Sequence, residues 1–222
     1  MKILFPLMLV LGFSLQVSGQ IPYLNKRYER NTVLDNASLA MDSTSYYIGS
    51  IINTNVRLYH YTKIDFLGNI TDTLDLNFND TITRIENCKE CLQVHKGRLY
   101  NMYTNFPKRA SNDSTTIVLS KIQLDLKDTI ETKVFALNGY QAVTVEASRF
   151  DSDSTFLISG LAARLVGANL QFKYDLLLAK FDTSFNLIWV TTLPNNTPNN
   201  VPFGPIGGNI VLDKYGGVLV SG

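Results

Sequence analysis

Two cysteines and two histidines are the residues of this sequence best suited to metal binding, redox chemistry or nucleophilic catalysis. Cys88 and Cys91 stand in NCKECLQVH, and the histidines are His60 and His95. Three interpretations of the cysteine pair are open: a redox-active CxxC, half of a metal site, and a disulfide. A redox pair needs a helix whose amino terminus lowers the thiol pKa. Because strand-like residues follow Cys91 instead, redox chemistry is the least favoured of the three.

A zinc site would need both cysteines and both histidines as its four ligands. The repeat pattern described below places His60 in the middle of one strand and His95 at the end of another, so nothing requires them to converge. We therefore predict no metal site, and either a short-loop disulfide between Cys88 and Cys91 or a spare pair of thiols where a blade begins, since an exported protein meets an oxidising environment. So small a ring contributes little through loop-closure entropy.

The carboxylates of this sequence favour turns over catalysis. No GxSxG elbow, HExxH pair or glycine-rich phosphate loop occurs. Asp151 and Asp153, in DSDST, suit Ca²⁺ together with backbone carbonyls, but no complete calcium loop is present. We predict no catalytic residue and no cofactor. At predicted hairpin turns, where a turn-capping role is expected, stand Asp42, Asp65, Asp125, Asp151, Asp153, Asp182 and Asp213.

Loops predicted to meet at one end of the fold carry the candidate ligand-binding residues. Cationic side chains suit an anionic group, and asparagine amides suit sugar hydroxyls or peptide groups, so the predicted partner is a glycan or a protein. A solvated surface role for the cations and a plain linker role for PNNTPNNVPFGPIGG are the alternatives. The candidates are Lys108 and Arg109 in the loop 105–113, Arg164 in the loop 162–173, and Asn195, Asn196 and Asn199 in the loop 194–208.

The elements that position these residues repeat along the chain. YDLLLAKFDTSFNLIWVTTL, residues 174–193, has two apolar runs joined by a short polar break, which is typical of a β-hairpin. RLYHYTKIDFLGNITDTLDL follows the same plan, with Lys63 and Asp65 in the places of Lys180 and Asp182, and a looser copy surrounds Lys121. The chain is therefore predicted to be a repeat array.

Each repeat is long enough for a four-stranded antiparallel sheet, and such a sheet cannot bury both faces alone. We predict an all-β fold, a β-propeller, with blades at residues 37–76, 91–135 and 142–193 and a hairpin at 207–222. Residues 20–36 form a lead-in or a strand of another blade. Because propellers close with about 4 to 8 blades, we expect an incomplete propeller from a longer protein; an open array and a β-sandwich are the alternatives.

The predicted repeat also assigns matching positions in successive sheets. On this alignment Tyr47, Leu99, Leu157 and Leu219 are equivalent to one another.

The segment LAKFDTSFNLIW resembles the repeat of secreted Bacteroidetes propellers, of the quinoprotein-like (PQQ-like) family and of delta-60 type repeats. In those repeats a strand ends in Lys-x-Asp, a turn follows, and the next strand carries a tryptophan. Trp189 is the only tryptophan; its counterpart in the first unit is Asp72, and the second unit has no aromatic there. That departure argues against a functional quinoprotein enzyme. The resemblance implies an exported bacterial protein with a type IX secretion sorting domain after the propeller.

Residues 1–19 combine Lys2, an apolar core from Ile3 to Leu15, and the small residues Ser18 and Gly19. This pattern predicts a secretory signal peptide cleaved before Gln20; a membrane anchor is the alternative, although the run is shorter than the ~20 residues that span a bilayer. The net charge is +1, and loss of Lys2 brings it to zero, so neither nucleic acid nor an anionic membrane is an expected partner. We expect a secreted or cell-surface protein without an integral membrane segment after cleavage.

These observations favour a non-enzymatic exported β-propeller that serves as a binding, adhesion or scaffold module at or outside the cell surface. The alternative is an enzyme built on the propeller face, such as a glycan hydrolase or lyase or a quinoprotein dehydrogenase. Clustered carboxylates, or a set of histidine and arginine side chains on the predicted loops, would favour the enzyme.

Overall fold

All regular secondary structure in the described residues is β-strand. A computed structural model of the chain describes residues 34–53, 57–77, 82–107, 114–166, 171–194, 209–213 and 217–221. In these ranges the strands form four antiparallel sheets, three of four strands and one of two. The all-β prediction is confirmed. No described residue belongs to a helix of the length and hydropathy needed to cross a membrane.

The strands of each sheet pair in the order of the chain, so each four-stranded sheet is a meander. The first sheet comprises β1 (Leu34–Met41), β2 (Ser45–Asn53), β3 (Arg57–Asp65) and β4 (Ile70–Asn77). The second comprises β5 (Ile82–His95), β6 (Arg98–Pro107), β7 (Thr116–Gln123) and β8 (Thr129–Phe135). The third comprises β9 (Ala142–Phe150), β10 (Thr155–Val166), β11 (Gln171–Asp182) and β12 (Leu187–Leu193). The fourth comprises β13 (Asn209–Leu212) and β14 (Val218–Ser221).

The second sheet begins earlier than the sequence suggests. Its first strand starts at Ile82, not at Cys91, and the polar residues before Cys91 belong to β5 instead of a loop. An irregularity in the pairing of β5 with β6, between Asn87 and Leu92, accommodates them. Such a bulge interrupts the alternation of polar and apolar side chains, which hides the strand from a pattern-based prediction.

The hairpin turns of the first and third sheets share one design. The Asp65 amide donates to the Asn69 carbonyl at 3.0 Å, and the Asp65 carboxylate accepts from the Asn69 amide at 2.7 Å. Asp182 and Asn186 make the same two bonds, at 3.0 and 2.8 Å. The residue before the asparagine has a positive φ in both turns, 80° and 58°. The two turns predicted from the repeat therefore share their hydrogen bonds and backbone conformation as well as their sequence pattern.

The sheets stack against one another with their first strands on a common side. β1 contacts β5, β5 contacts β9, and β9 contacts β13. Hydrophobic clusters of buried side chains fill the spaces between neighbouring sheets, which is how a sheet with two apolar faces is stabilised in a repeat array. Tyr59 and Tyr103 meet between the first and second sheets, Met102 and Phe156 share the cluster between the second and third, and Leu157 and Ile210 share the one between the third and fourth.

An ion pair ties the β9–β10 turn to β11. Lys180 Nζ pairs with a carboxylate oxygen of Asp151, and the Thr155 hydroxyl donates to the other oxygen at 2.6 Å. Burial raises the pKa of Asp151, but the hydrogen bonds from Lys180 and Thr155 outweigh burial and leave this pKa below its ordinary value. Ionised Asp151 therefore stabilises the third sheet.

We expect Asp151→Asn to lower the free energy of unfolding by about 1 kcal/mol at neutral pH. Because the folded-state pKa is lower than the unfolded value of about 3.9, this stabilisation is present above that value and is lost as the pH falls through the folded-state pKa. Urea unfolding at neutral pH and at about pH 2.5 measures the difference. Asp153→Asn, at an exposed carboxylate of the same turn, is the control. An Asp151→Asn deficit of equal size at both pH values would contradict this account.

Candidate functional site

A cluster of four polar side chains lies where the second and third sheets meet, at the end at which each second strand continues toward the third. We call this end the loop end, and the four residues, Tyr140, Arg164, Asp175 and Thr192, the loop-end cluster. Arg164 is on β10, Asp175 on β11 and Thr192 on β12. Tyr140 belongs to the connection 136–141, which leads from β8 into β9.

Backbone hydrogen bonds hold that connection between the two sheets. The Thr115 amide donates to the Gln141 carbonyl at 3.1 Å, and the Thr115 carbonyl accepts from the Val143 amide at 3.1 Å. On the other side the Gln141 amide donates to the Ala163 carbonyl at 2.8 Å, and the Gln141 side-chain carbonyl accepts from the Leu165 amide at 2.9 Å. Tyr140 is thus positioned from both sheets by neighbouring backbone.

The centre of the loop-end cluster is a buried carboxylate. Asp175 is 1% exposed. One of its oxygens, Oδ2, lies 3.1 Å from Nε of Arg164 and accepts a 3.0 Å hydrogen bond from the Tyr140 hydroxyl. The same hydroxyl lies 3.0 Å from Oγ1 of Thr192 and is the donor in that contact too, so its single proton is shared between Asp175 and Thr192. A carboxylate this buried needs a cation and hydrogen-bond donors, and the cluster supplies both.

The outer part of Arg164 remains open to solvent. Its side chain is 39% exposed, although Nε is buried beside Asp175, which it contacts as an ion pair without a well-aligned hydrogen bond. Solvent therefore reaches the side chain through its other atoms. A guanidinium held on one side by a carboxylate still has donors arranged as a fork, which matches carboxylate, sulfate or phosphate groups. The arrangement suits recognition of an anionic group.

The structure corrects the sequence-based placement of Arg164. The loop predicted over 162–173 is mostly strand: β10 extends to Val166 and β11 starts at Gln171, with Arg164 opposite Lys173. Apolar residues that pair across these strands extend the hairpin and shorten the loop. Arg164 is therefore held by sheet hydrogen bonds. The other predicted ligand-binding residues, Lys108, Arg109, Asn195, Asn196 and Asn199, lie outside the described residues.

A second polar cluster, which was not predicted from the sequence, lies on the face of the first sheet away from the second. His60 Nδ1 pairs with a carboxylate oxygen of Asp75, and His60 Nε2 lies 2.9 Å from Oγ1 of Thr62. This carboxylate, imidazole and hydroxyl have the connectivity of the acid, base and nucleophile of many hydrolases. His60 and Thr62 are only 6% and 7% exposed. The spacing of His60 and Thr62 is the one available signal, since alternate residues of a strand share a face.

The histidines and cysteines do not form one site. His95 stacks on Phe150 with ring centroids 3.8 Å apart, and its Nε2 lies 3.0 Å from the Asp153 carbonyl oxygen. Cys88 and Cys91 are joined in a disulfide within β5, and both are buried. Among the described residues no group of three or more histidine, cysteine, aspartate and glutamate side chains is placed to hold a metal ion.

Most of the predicted turn carboxylates accept hydrogen bonds from backbone amides of their own turns. Those that do are Asp42, Asp65, Asp125, Asp182 and Asp213. Asp151 and Asp153, considered for calcium, instead pair with Lys180 and Lys96. The turn-capping interpretation is confirmed for the first five.

No family model and no curated protein matches the chain. Among solved structures it is similar to a subtype N10 neuraminidase-like protein of a little yellow-shouldered bat isolate from Guatemala, with 13% identity over 70% of this chain and 43% of that one, at a TM-score of 0.47. A neuraminidase-like protein from another bat isolate from Guatemala has 10% identity over 72% of this chain and 54% of that one, at a TM-score of 0.40. The chain thus spans about half the length of these structures. Values this low assign no function.

Proposed function

We propose that this protein is an exported, non-enzymatic β-propeller module that binds an anionic group of a glycan or protein ligand through its loop end. The stacking of the sheets supports the propeller: successive meanders pack face to face with their first strands on a common side, as propeller blades do. On this proposal the described sheets are three blades and part of a fourth.

One observation carries the binding proposal: Arg164 is exposed at the loop end while the buried Asp175 holds its Nε. A side chain carried by a strand of the scaffold is positioned more precisely than one on a loop. An arginine that is already ordered loses little side-chain entropy when a ligand binds. Tyr140 contributes a hydroxyl beside it.

Export rests on residues 1–19, whose charged start, apolar core and small residues before Gln20 match a signal peptide. We further propose that the mature protein acts at or outside the cell surface of a bacterium and that type IX secretion delivers it, as the resemblance to secreted Bacteroidetes propellers implies. Mass spectrometry of the protein recovered from culture medium tests this: a mature amino terminus at Gln20 supports export, and an uncleaved cellular product would refute it.

Binding is tested on arrays of neutral, carboxylated and sulfated glycans and of acidic peptides. We expect retention of anionic members only. Arg164→Lys keeps the charge that Asp175 needs but loses the guanidinium fork, and we expect it to weaken binding about tenfold or more. Arg98→Ala removes a cation at the opposite end of the sheets and should leave binding unchanged. Equal binding by both variants, or retention of neutral glycans alone, would contradict the proposal.

A hydrolase is the second candidate, and the His60 cluster is the observation that favours it. The Thr62 hydroxyl would attack an ester carbonyl, and His60 would accept its proton and pass it to the leaving alcohol while Asp75 orients the imidazole. Water would then hydrolyse the acyl-enzyme. The burial of His60 and Thr62 places this candidate second. Turnover of chromogenic ester or glycoside substrates that Thr62→Val abolishes, without retention of any array member, would reverse the order.

A further inference from the structure

The outer strand of the third sheet has an uncharged edge. Among the described residues β12 pairs with β11 on one side only. Its sequence, LIWVTTL, contains no charged residue, and Leu187, Ile188, Trp189 and Leu193 are exposed. The backbone donors and acceptors of an edge strand form a template for another strand.

The outer strands of the other two four-stranded sheets differ from β12 in this respect. β4 carries Asp72 and Asp75, and β8 carries Glu131 and Lys133. Charged residues on an edge strand discourage pairing with another chain. All three outer strands have the same irregularity near their start, so the bulge does not distinguish them. The absence of charged residues distinguishes β12 from β4 and β8.

We propose that β12 pairs antiparallel with β12 of a second copy of this chain, which joins two third sheets into one continuous sheet. The regular part of the strand after the bulge is Trp189–Leu193, with Thr191 at its centre. A two-fold axis at Thr191 places Trp189 of one copy opposite Leu193 of the other, and Val190 opposite Thr192.

Self-pairing suits this strand because every opposed pair is uncharged. Aromatic, aliphatic and threonine pairs of this kind stabilise antiparallel strands. The same operation on β4 would have its axis at Leu74, the counterpart of Thr191. It would place four aspartates in the interface, two from each copy, since Asp72 would face Leu76 and Asp75 would face Thr73. The net charge of the whole chain, +1, adds little repulsion between copies.

The interface is small compared with the 1,200–2,000 Å² of total surface that a stable complex buries. We therefore expect a reversible dimer with a dissociation constant of roughly 1–100 μM. Sedimentation velocity of the full chain over that concentration range should show a monomer that converts to a dimer. A species that stays monomeric throughout would overturn the proposal.

Thr191→Lys tests the position of the two-fold axis. Pairing places Thr191 opposite Leu178 on β11, just as Lys133 is opposite Leu119 on β7, so the second sheet already carries a lysine at this position. We expect Thr191→Lys to fold normally and to remain monomeric, since two lysines would face each other. Thr132→Lys, an exposed threonine on β8, is the matched control and should dimerise like the unchanged protein.

A cross-linking variant distinguishes this interface from any other. In Thr191→Cys the two thiols face each other across the axis, and mild oxidation should give a covalent dimer. Thr132→Cys should give none under the same conditions. Dimers that form in Thr191→Lys, or that fail to cross-link in Thr191→Cys, would show association through another surface and would refute the proposal.

Discussion

Gly160→Ala is expected to lower the free energy of unfolding by about 3 kcal/mol or more. A Cβ at Gly160 would lie 1.8 Å from the carbonyl oxygen of Thr144 and 2.8 Å from its carbonyl carbon. Both atoms are backbone of β9, so no side-chain rotation relieves the overlap. Pairing between β9 and β10 is irregular at this glycine, between Ser159 and Gly160. The strands must separate or shift register to admit a methyl group.

Urea unfolding measures this effect, and Gly139→Ala supplies the comparison. Gly139 has a φ of +83°, and a Cβ there would meet no atom within 4 Å. Its replacement therefore costs only the backbone strain of a left-handed residue, about 1–2 kcal/mol. If Gly160→Ala costs no more than Gly139→Ala, the close approach of β9 to β10 is not a constraint on the fold.

Arg164→Met is expected to destabilise the protein by about 2–3 kcal/mol, because it leaves the carboxylate of Asp175 buried without its cation. The estimate is below that for a fully buried pair, since Arg164 is partly exposed and water screens it. Asp175→Asn should cost less than Arg164→Met, because the arginine left behind can hydrate. This inequality follows directly from exposures of 39% and 2% for the two side chains.

A double-mutant cycle on the pair measures the coupling. Arg164→Met combined with Asp175→Asn should be more stable than the sum of the single losses predicts, since the double variant buries no unpaired charge. Thermal or urea unfolding of the four proteins provides the values. Additive losses would mean that Asp175 is satisfied by Tyr140 and its other neighbours, and that Arg164 is free to move.

The repeat could be inferred from the sequence because its turns recur in fixed relation to a lysine. Lys63 is opposite Asp72, and Lys180 is opposite Trp189, so the predicted equivalence of Trp189 with Asp72 is confirmed. Lys121 is opposite Glu131 at the same place in the second sheet. Aspartate turns and apolar runs are local signals, so they can be recognised from consecutive residues of the sequence.

The residue of the second sheet predicted to be equivalent to Tyr47 is wrong by one position. Tyr100 is opposite Lys121 and so corresponds to Tyr47; the predicted counterpart, Leu99, is opposite Ile122. In each four-stranded sheet the equivalent residue is the third of its strand, and β6 begins at Arg98, directly after the two-residue turn at Lys96 and Gly97, whose φ values are 46° and 70°. Because side chains alternate between faces, a slip of one residue moves each of them to the other side of the sheet.

The loop-end cluster and the His60 cluster could not be predicted from the sequence, for a different reason. Arg164 and Asp175 lie on adjacent strands, and so do His60 and Asp75, which are 15 positions apart. Only the pairing register brings each pair together, and no local pattern records it. In the sequence Asp175 is a single polar residue before an apolar run, and nothing there indicates burial. In the structure it is among the least exposed charged residues described.

The hydrophobic clusters lie between sheets and not inside any one of them. A unit can therefore be duplicated or deleted as a whole if the two surfaces brought together afterwards fit, because each unit touches only its neighbours. The contact that decides whether a new junction is stable is then the one between adjoining faces, such as that of Tyr59 against Tyr103.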